Sequence, residues 1–445
     1  MQKSFFLLNR VALVLLLCAS TASLQAQTYT EVKVSSTSFA DIEFDSARDG
    51  LYCESCNFGQ GNARFNWTDR AGNLWLGHVD WQSGAFLPAN GKAELVDTSA
   101  AYWKDFGNGP EWAFSQQGSQ LVYTRYQPGM PRTSAYAGAA LASMVGGAWL
   151  PDFLPGAMAS DGSGGPVNSA LPLASQGISD PFALVLYKNL AKPQEIYWEQ
   201  ASLTDTAPSL TPFGPYANGI NERWIPQTNQ LLFIGTTITA GKGTQQVFWY
   251  DTDTNKVAQL TADATNKDDM FVFQAPEFGD NYVFFTIANG TEIDVYEQTG
   301  STSVGAPTFR IVNRITSADP TEPLIASAEP FINCSPTCTT YIFMTLTGTD
   351  KTLQPVPNGL AITTIDPAHP RFTVLASASS PAVQRSDPEY FTTANGPYLY
   401  YGRVTPATAT SPAKYQGEYY IDMQLGAPMG PCVGSSAEGG LMPGC

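Results

Sequence analysis

Histidine is nearly missing: the 445 residues include only His78 and His369. A serine nucleophile needs an imidazole base, and most catalytic zinc sites use histidine ligands, so such chemistry has almost nowhere to sit. Basic residues are scarce too, with 23 Lys and Arg against 39 Asp and Glu and a net charge of −16. Nucleic-acid binding depends on Lys and Arg displacing counterions, and anionic membrane surfaces attract the same residues. Both partners are therefore argued against. Beyond the N-terminal segment no apolar run is long enough to cross a bilayer, so no membrane insertion is expected. No phosphate-binding glycine loop or dinucleotide fingerprint appears. No cofactor is expected, apart from the option of a structural cation in a central channel.

The N-terminus has Lys3 and Arg10, an apolar run from Val11 to Leu17, then small residues. That is the three-part form of a secretory signal peptide, expected over residues 1–26 with cleavage after Ala26. The mature chain, without Lys3 and Arg10, would carry −18. It is expected to be secreted or periplasmic and monomeric. Cys18 leaves with the signal. The other six cysteines form three close pairs: Cys53 with Cys56, Cys334 with Cys338, and Cys432 with Cys445. An even count in an exported chain favours disulfides. The rival reading is zinc, from the spacings CESC and CSPTC. The last pair would close a C-terminal tail over residues 431–445.

What is abundant is glycine, proline, serine, threonine and aromatic residues, with only 14% charged. That composition suits an all-β protein, and an internal repeat sharpens the reading. Pro110-Glu111-Trp112 leads into LVYT at Leu121, Glu222-Arg223-Trp224 into LLFI at Leu231, and Pro276-Glu277-Phe278 into YVFFT at Tyr282. Glu329-Pro330-Phe331 leads into YIFMT at Tyr341, Pro388-Glu389-Tyr390 into YLYYG at Tyr398, and Asp41-Ile42-Glu43-Phe44 is a weaker copy. From Trp224 onward the aromatics are 54, 53 and 59 residues apart. Each copy is followed by an alternating aromatic strand, a polar turn and a short strand, as in VFWYDTDTNKVAQLT from Val247. Four strands per repeat of about 50 residues is the content of a β-propeller blade.

This order resembles the TolB-like, or WD40-like, propeller repeat, most clearly over Gly109–Thr124 and Val247–Thr261. It departs from that repeat at the Ser-Pro-Asp-Gly turn, replaced here by Ser115-Gln116-Gln117-Gly118 and Thr393-Ala394-Asn395-Gly396. The resemblance implies an all-β, six-bladed propeller of four-stranded antiparallel blades over residues 27–430. Its members serve as binding platforms in some cases and as enzymes in others. The sixth blade has room for three strands only, so the strand from Thr28 is expected to complete it and close the ring. Five blades result if the N-terminal segment is not a full blade, and seven if FALVLYKN from Phe182 begins a hidden one. Residues 127–177, rich in Gly, Ala, Ser, Pro and Met, are expected to form an insertion or flap in the second blade, anchored by Trp149 and Phe153.

Inner strands of all blades surround one axis, so Glu43, Glu111, Glu277 and Glu389, with Arg223 in the matching place of the third blade, are the expected channel-lining residues. With Trp149 of the flap they are the expected ligand-binding set. Such a ring could hold a cation or hydrogen-bond sugar hydroxyls. If the chain is an enzyme, Glu111, Glu277 and Glu389 are the candidate acid and base of a glycoside hydrolase or polysaccharide lyase. The competing reading is that the carboxylates punctuate a repeat, since a catalytic residue is needed once or twice rather than four times. The leading expectation is a platform for a partner protein or glycan at the channel mouth. Three weaker signals carry less. Asp161-Gly162-Ser163-Gly164-Gly165-Pro166 resembles a protease nucleophile segment but lacks a nearby base. Asp251-Thr252-Asp253-Thr254-Asn255 opens like a calcium loop but lacks its later ligands. Asn66, Asn289 and Asn333 stand in glycosylation sequons.

Overall fold

The computed structural model describes residues 29–39, 41–45, 63–107, 109–157, 169–175, 181–190, 196–203, 220–239, 242–335, 337–349 and 353–427. The expected signal peptide and the Ser163 segment lie outside them. So do four of the cysteines expected in disulfides, namely Cys53, Cys56, Cys432 and Cys445, and with the last two the expected closure of the C-terminal tail. Of the three expected pairs, the structure shows the bond between Cys334 and Cys338. Among the described residues six four-stranded antiparallel blades make a β-propeller. The first blade is Glu43–Phe44, Ala63–Thr68 and Leu74–Val79, with its outer edge divided between Phe86–Leu87 and Glu94–Asp97. The second is Glu111–Ser115, Gly118–Tyr126, Ala137–Val145 and Ala148–Phe153. The third runs from Ile220–Trp224 to Lys256–Gln259, the fourth from Lys267–Ala275 to Pro307–Thr316, and the fifth from Leu324–Cys334 to Phe372–Ala376. The sixth comprises Gln384–Thr393, Gly396–Thr405 and Lys414–Asp422, and its outer strand is Glu31–Ser35, antiparallel to the last of these with Glu31 opposite Ile421. The N-terminal strand thus closes the ring, as the strand count required, and covers an edge that would otherwise stand open.

A further three-stranded sheet, Ser169–Ala174, Leu184–Asn189 and Ile196–Gln200, stands between the second and third blades. Its first strand contacts the first strands of both neighbours, so seven first strands follow one another around the axis. The segment from Phe182 therefore does build a sheet of its own.

Alternation along the second strands serves two cores at once. In the second blade Leu121 and Tyr123 face the first blade, beside Leu74, Leu76 and Val96, while Val122 faces the three-stranded sheet, beside Val185 and Tyr187. In the fourth blade Phe284 packs toward Trp249 of the third, and Val283 and Phe285 toward Ile342 and Met344 of the fifth. Both faces of these strands are dry, so successive residues are all apolar. Burying each such side chain contributes about 1.5–3 kcal/mol, and the cores lie between blades rather than within one.

The expected flap is corrected in part. Ala137–Val145 and Ala148–Phe153 are neither helix nor lid but the third and fourth strands of the second blade. Ala139, Ala140, Leu141 and Ala142 are fully enclosed between neighbours; small side chains here set the spacing between sheets. Gly146 and Gly147, with φ of 59° and 85°, supply the two left-handed positions of a tight hairpin turn.

Candidate functional site

Three of the expected carboxylates occupy equivalent places. Glu111 lies opposite Val122 and Glu389 opposite Tyr400, each four residues before a two-residue hairpin turn, closed by Ser115 with Gly118 and by Thr393 with Gly396. Glu43 lies opposite Asn66 on the short first strand of the first blade. All three are buried, at 8, 9 and 6% exposure for Glu43, Glu111 and Glu389, and none is without a partner. The aromatic that follows each one seals neighbouring blades. Trp112 donates its indole N–H to the Glu43 carbonyl at 3.0 Å, Phe44 packs on Phe391 and Tyr400, and Tyr390 stacks on Phe331 of the fifth blade at 5.1 Å.

Arg223 lies on the first strand of the third blade, its guanidinium 4.3 Å from the Phe271 ring centroid on the first strand of the fourth. Glu222 turns the other way, as strand period demands, and meets Lys188 of the three-stranded sheet at 3.3 Å.

Two expected members are placed elsewhere. Glu277 is not on an inner strand: Pro276–Phe278 is a single 3₁₀ turn after the strand Lys267–Ala275. Its carboxylate accepts the Thr340 backbone N–H and, at 2.8 Å, the Thr340 hydroxyl of the next blade. Proline has no N–H for the ladder and suits the first position of such a turn, so the same three letters that sit inside a strand at Glu111 end one here. Trp149 is not at the channel mouth either. It lies on the outer strand of the second blade, half-buried against the first, and donates to Glu94 at 3.1 Å.

Sequence reasoning missed a more regular feature. Two residues before Glu43, Glu111, Phe271, Glu329 and Glu389 stand Asp41, Gly109, Asp269, Ser327 and Asp387. Asp41, Asp269, Ser327 and Asp387 have φ of 55°, 38°, 49° and 52°. Asp269, Ser327 and Asp387 mark register slips in their hairpins, so each is the extra residue of a β-bulge. The carboxylate at this place reaches the next blade. Asp269 Oδ2 accepts the Ser327 N–H at 2.8 Å, and Asp41 approaches Gly109 so closely that a Cβ there would lie 2.2 Å from Oδ2. Burial first, then Asp268, pushes the Asp269 carboxyl above its ordinary range, opposed by the Ser327 N–H and Arg223.

At the end of the ring where first strands begin, the structure holds a cleft of about 300 Å³. Three connections converge there. Thr265 comes from the link into the fourth blade, Asn289 and Thr291 from its middle hairpin turn, and Ser317 and Asp319 from the link into the fifth. Glu292 and Thr316, directly opposite each other on neighbouring strands, also line it. Next to it lies an ionic cluster centred on a buried lysine. Lys267, with no exposed side-chain surface, binds Asp294 at 2.8 Å and Asp263 at 2.9 Å, and Arg314 meets Asp294 at 3.3 Å. Burial and the neighbouring Asp294 carboxylate raise the Glu292 pKa, with Arg314 and Lys267 opposing.

The weaker signals resolve simply. Residues 252–255 form a polar turn, with Asp251 Oδ1 accepting the Asp253 and Thr254 N–H groups. His369 is exposed and pairs with Asp366 at 2.7 Å, while His78 lies 3.6 Å from Glu94. Asn66 and Asn333 are buried, so only Asn289, in an exposed turn, is open to modification. Among the described residues no helix is long and apolar enough to cross a membrane.

No protein-family model and no curated protein sequence matches the chain. Solved structures similar to it include TolB from Acinetobacter baumannii, at 13% identity over 81% of this chain and 79% of that one, with a TM-score of 0.34. A prolyl endopeptidase aligns at 11% identity over 88% of this chain and 51% of its own, TM-score 0.44. The tricorn protease aligns at 9% identity over 89% and 36%, TM-score 0.47. At these identities the likeness concerns the β-propeller fold alone.

Proposed function

We propose that the chain is an extracytoplasmic binding platform that recognises a partner protein or a glycan at the mouth of the propeller channel. The observation that carries this reading is the state of the ring carboxylates. Glu43, Glu111 and Glu389 are buried and partnered, and Glu277 is bonded to Thr340. Groups already engaged hold a surface rigid; a general acid or base must instead reach a reacting atom. A rigid ring reduces the ordering cost of binding. The Cys334–Cys338 disulfide, closing the first hairpin of the fifth blade, fits an oxidising compartment.

The test is a glycan array and a cross-linking capture from the host's secreted fraction, run on the mature chain and on Arg223→Ala and Arg223→Glu. The expected result is a discrete ligand lost in both variants while their melting curves hold. Retention of that ligand by both would sink the mouth as the site. Hydrolysis of an array glycan by the parent chain, abolished in a folded Glu111→Gln, would replace binding with catalysis.

A further inference from the structure

We propose that the cleft at the end of the fourth blade holds a single pyranose residue, either as a free sugar or as the end of a glycan; this rests on the binding-platform reading and narrows its ligand. The cleft lies beside the strand starts: Thr265 precedes the first strand of the fourth blade by two residues, and Pro323 immediately precedes that of the fifth. Its volume, about 300 Å³, is at the small end of ligand pockets, room for one ring rather than a polymer.

The lining chemistry sorts the ligand classes. Among the described residues no Lys or Arg lines the cleft, and the adjacent Lys267 is sealed by Asp263, Asp294 and Thr265. An anion would meet Glu292 and Asp319, and the exposed Arg314 beside Glu292 is already paired with Asp294 at 3.3 Å. A bare divalent cation needs several uncommitted oxygens, but Asp319 Oδ1 already accepts the Thr321 N–H and hydroxyl, and Glu292 is coupled to Asp294 and lies 3.9 Å from Arg314. An apolar ligand would bury the hydroxyls of Thr291 and Thr316 against nothing that bonds them. A neutral polyol suits what remains. Its hydroxyls donate to the carboxyl oxygens and accept from threonine, while Pro320 and Pro323 offer flat apolar walls to the C–H face of a ring.

The walls are set before a ligand arrives. Asn289 exchanges two bonds with Asn266, its N–H donating to the Asn266 carbonyl at 2.9 Å and its Oδ1 accepting the Asn266 N–H at 3.0 Å. The Ile325 N–H donates to the Gly290 carbonyl at 2.9 Å, tying the hairpin turn to the fifth blade. Ser317 Oγ accepts the Asp319 N–H at 3.1 Å. Three connections far apart in sequence are thus bonded into one rim, and little ordering is left for binding to impose.

The experiment is ligand-observed saturation-transfer NMR on the mature chain with methyl glycosides of glucose, galactose, mannose and fucose, each at concentrations suited to affinities of order 1 mM. Two variants accompany it: Glu292→Ala, at a half-exposed position, and Thr316→Trp, which fills the cleft from an exposed one. Saturation transfer from the parent chain to at least one glycoside, lost in both variants with unchanged melting, is the expected outcome. No transfer to any glycoside, or transfer that persists in both variants, overturns the cleft as a sugar site. Calcium-dependent shifts in place of sugar signals overturn it as well. A glycan-array signal lost in Arg223→Ala but kept in the two cleft variants defeats this inference and leaves the platform reading standing.

Discussion

Replacing Glu31 with glutamine keeps the shape of the side chain and removes its charge, at the strand that closes the ring. Arg385, on the first strand of the sixth blade, has no exposed side-chain surface. Its Nη1 is satisfied by the Asn358 and Ser377 carbonyls, at 2.6 and 3.2 Å. Its Nη2 and Nε face only the Glu31 carboxylate, at 2.7 and 3.3 Å, and the same carboxylate accepts the Tyr401 hydroxyl at 2.8 Å and meets Arg403 at 3.3 Å. Removing one partner of a buried pair leaves an uncompensated charge and typically costs 3–5 kcal/mol. An amide still accepts a hydrogen bond, so the lower figure, about 3 kcal/mol, is expected for Glu31→Gln. The cost falls on the closing strand first, because that strand is held by one ladder only. At about 1.4 kcal/mol per factor of ten, exchange of the protected amides of Glu31–Ser35 should speed up roughly 100-fold, while amides of the third and fourth blades stay within a few-fold. Native-state hydrogen exchange with mass detection reads both. The double change Glu31→Leu with Arg385→Met should cost less than Glu31→Leu alone, since the fully buried Arg385 charge is then no longer stranded and Arg403 keeps some access to water. A change below threefold in the closing strand, or a uniform rise in all blades, would refute the idea that this ion pair is the clasp.

Glu418 is fully enclosed, and burial pushes its carboxyl from 4.5 up to about 8, with the Tyr415 hydroxyl at 2.7 Å opposing in part. Its folded pKa exceeds its unfolded one, so it stabilises the fold fully below pH 4.5, and that contribution is lost as pH rises through about 8. The loss is on the order of 4–5 kcal/mol. Denaturant titrations at pH 5 and 9 should show it, and Glu418→Gln should flatten the difference. Gly109→Ala places a Cβ against Asp41 and should cost about 1–3 kcal/mol, while Asp269→Ala removes the acceptor of the exposed Ser327 N–H and should cost about 0.5–1.5 kcal/mol; a loss under 0.5 kcal/mol in both would argue that the bulge links are incidental. Cys334→Ser opens a loop of only five residues and should cost no more than about 2 kcal/mol, read as a small shift in denaturation midpoint.

What could be read from sequence was whatever repeats in the chain. The aromatic after each mark seals one blade to the next, so Trp112, Trp224, Phe331 and Tyr390 recur at blade spacing, and the closing role of the Thr28 segment followed from counting strands. Where a local cause changes, the letters mislead. Pro276-Glu277-Phe278 copies the mark but follows its strand, because a longer turn there replaces the two-residue turn after Ser115. Ala139–Ala142 falls in the stretch read as an insertion or flap and is a strand, because small side chains let two sheets approach. The three-stranded sheet carries no mark, and it was the strand pattern of FALVLYKN from Phe182 that raised the alternative of a further sheet.

The bulge residues were hidden for a different reason: an inserted residue inverts the two-residue period at the very place where it acts. Asp41, Asp269 and Asp387 then read as part of an ordinary polar lead-in, though they share a left-handed backbone that Asp and Asn tolerate better than most residues. The cleft was illegible for the opposite reason. Its walls, Thr265, Thr291 and Asp319, come from connections that do not repeat, and no local pattern relates them; only the closure of blades three, four and five brings them together. Repetition in this chain therefore marks scaffold, with the Pro-Glu-aromatic step as its seam. Residues that differ between equivalent connections are the ones free to acquire a ligand, which is why Glu292 and Thr316, rather than the recurrent glutamates, are the first positions to substitute in search of one.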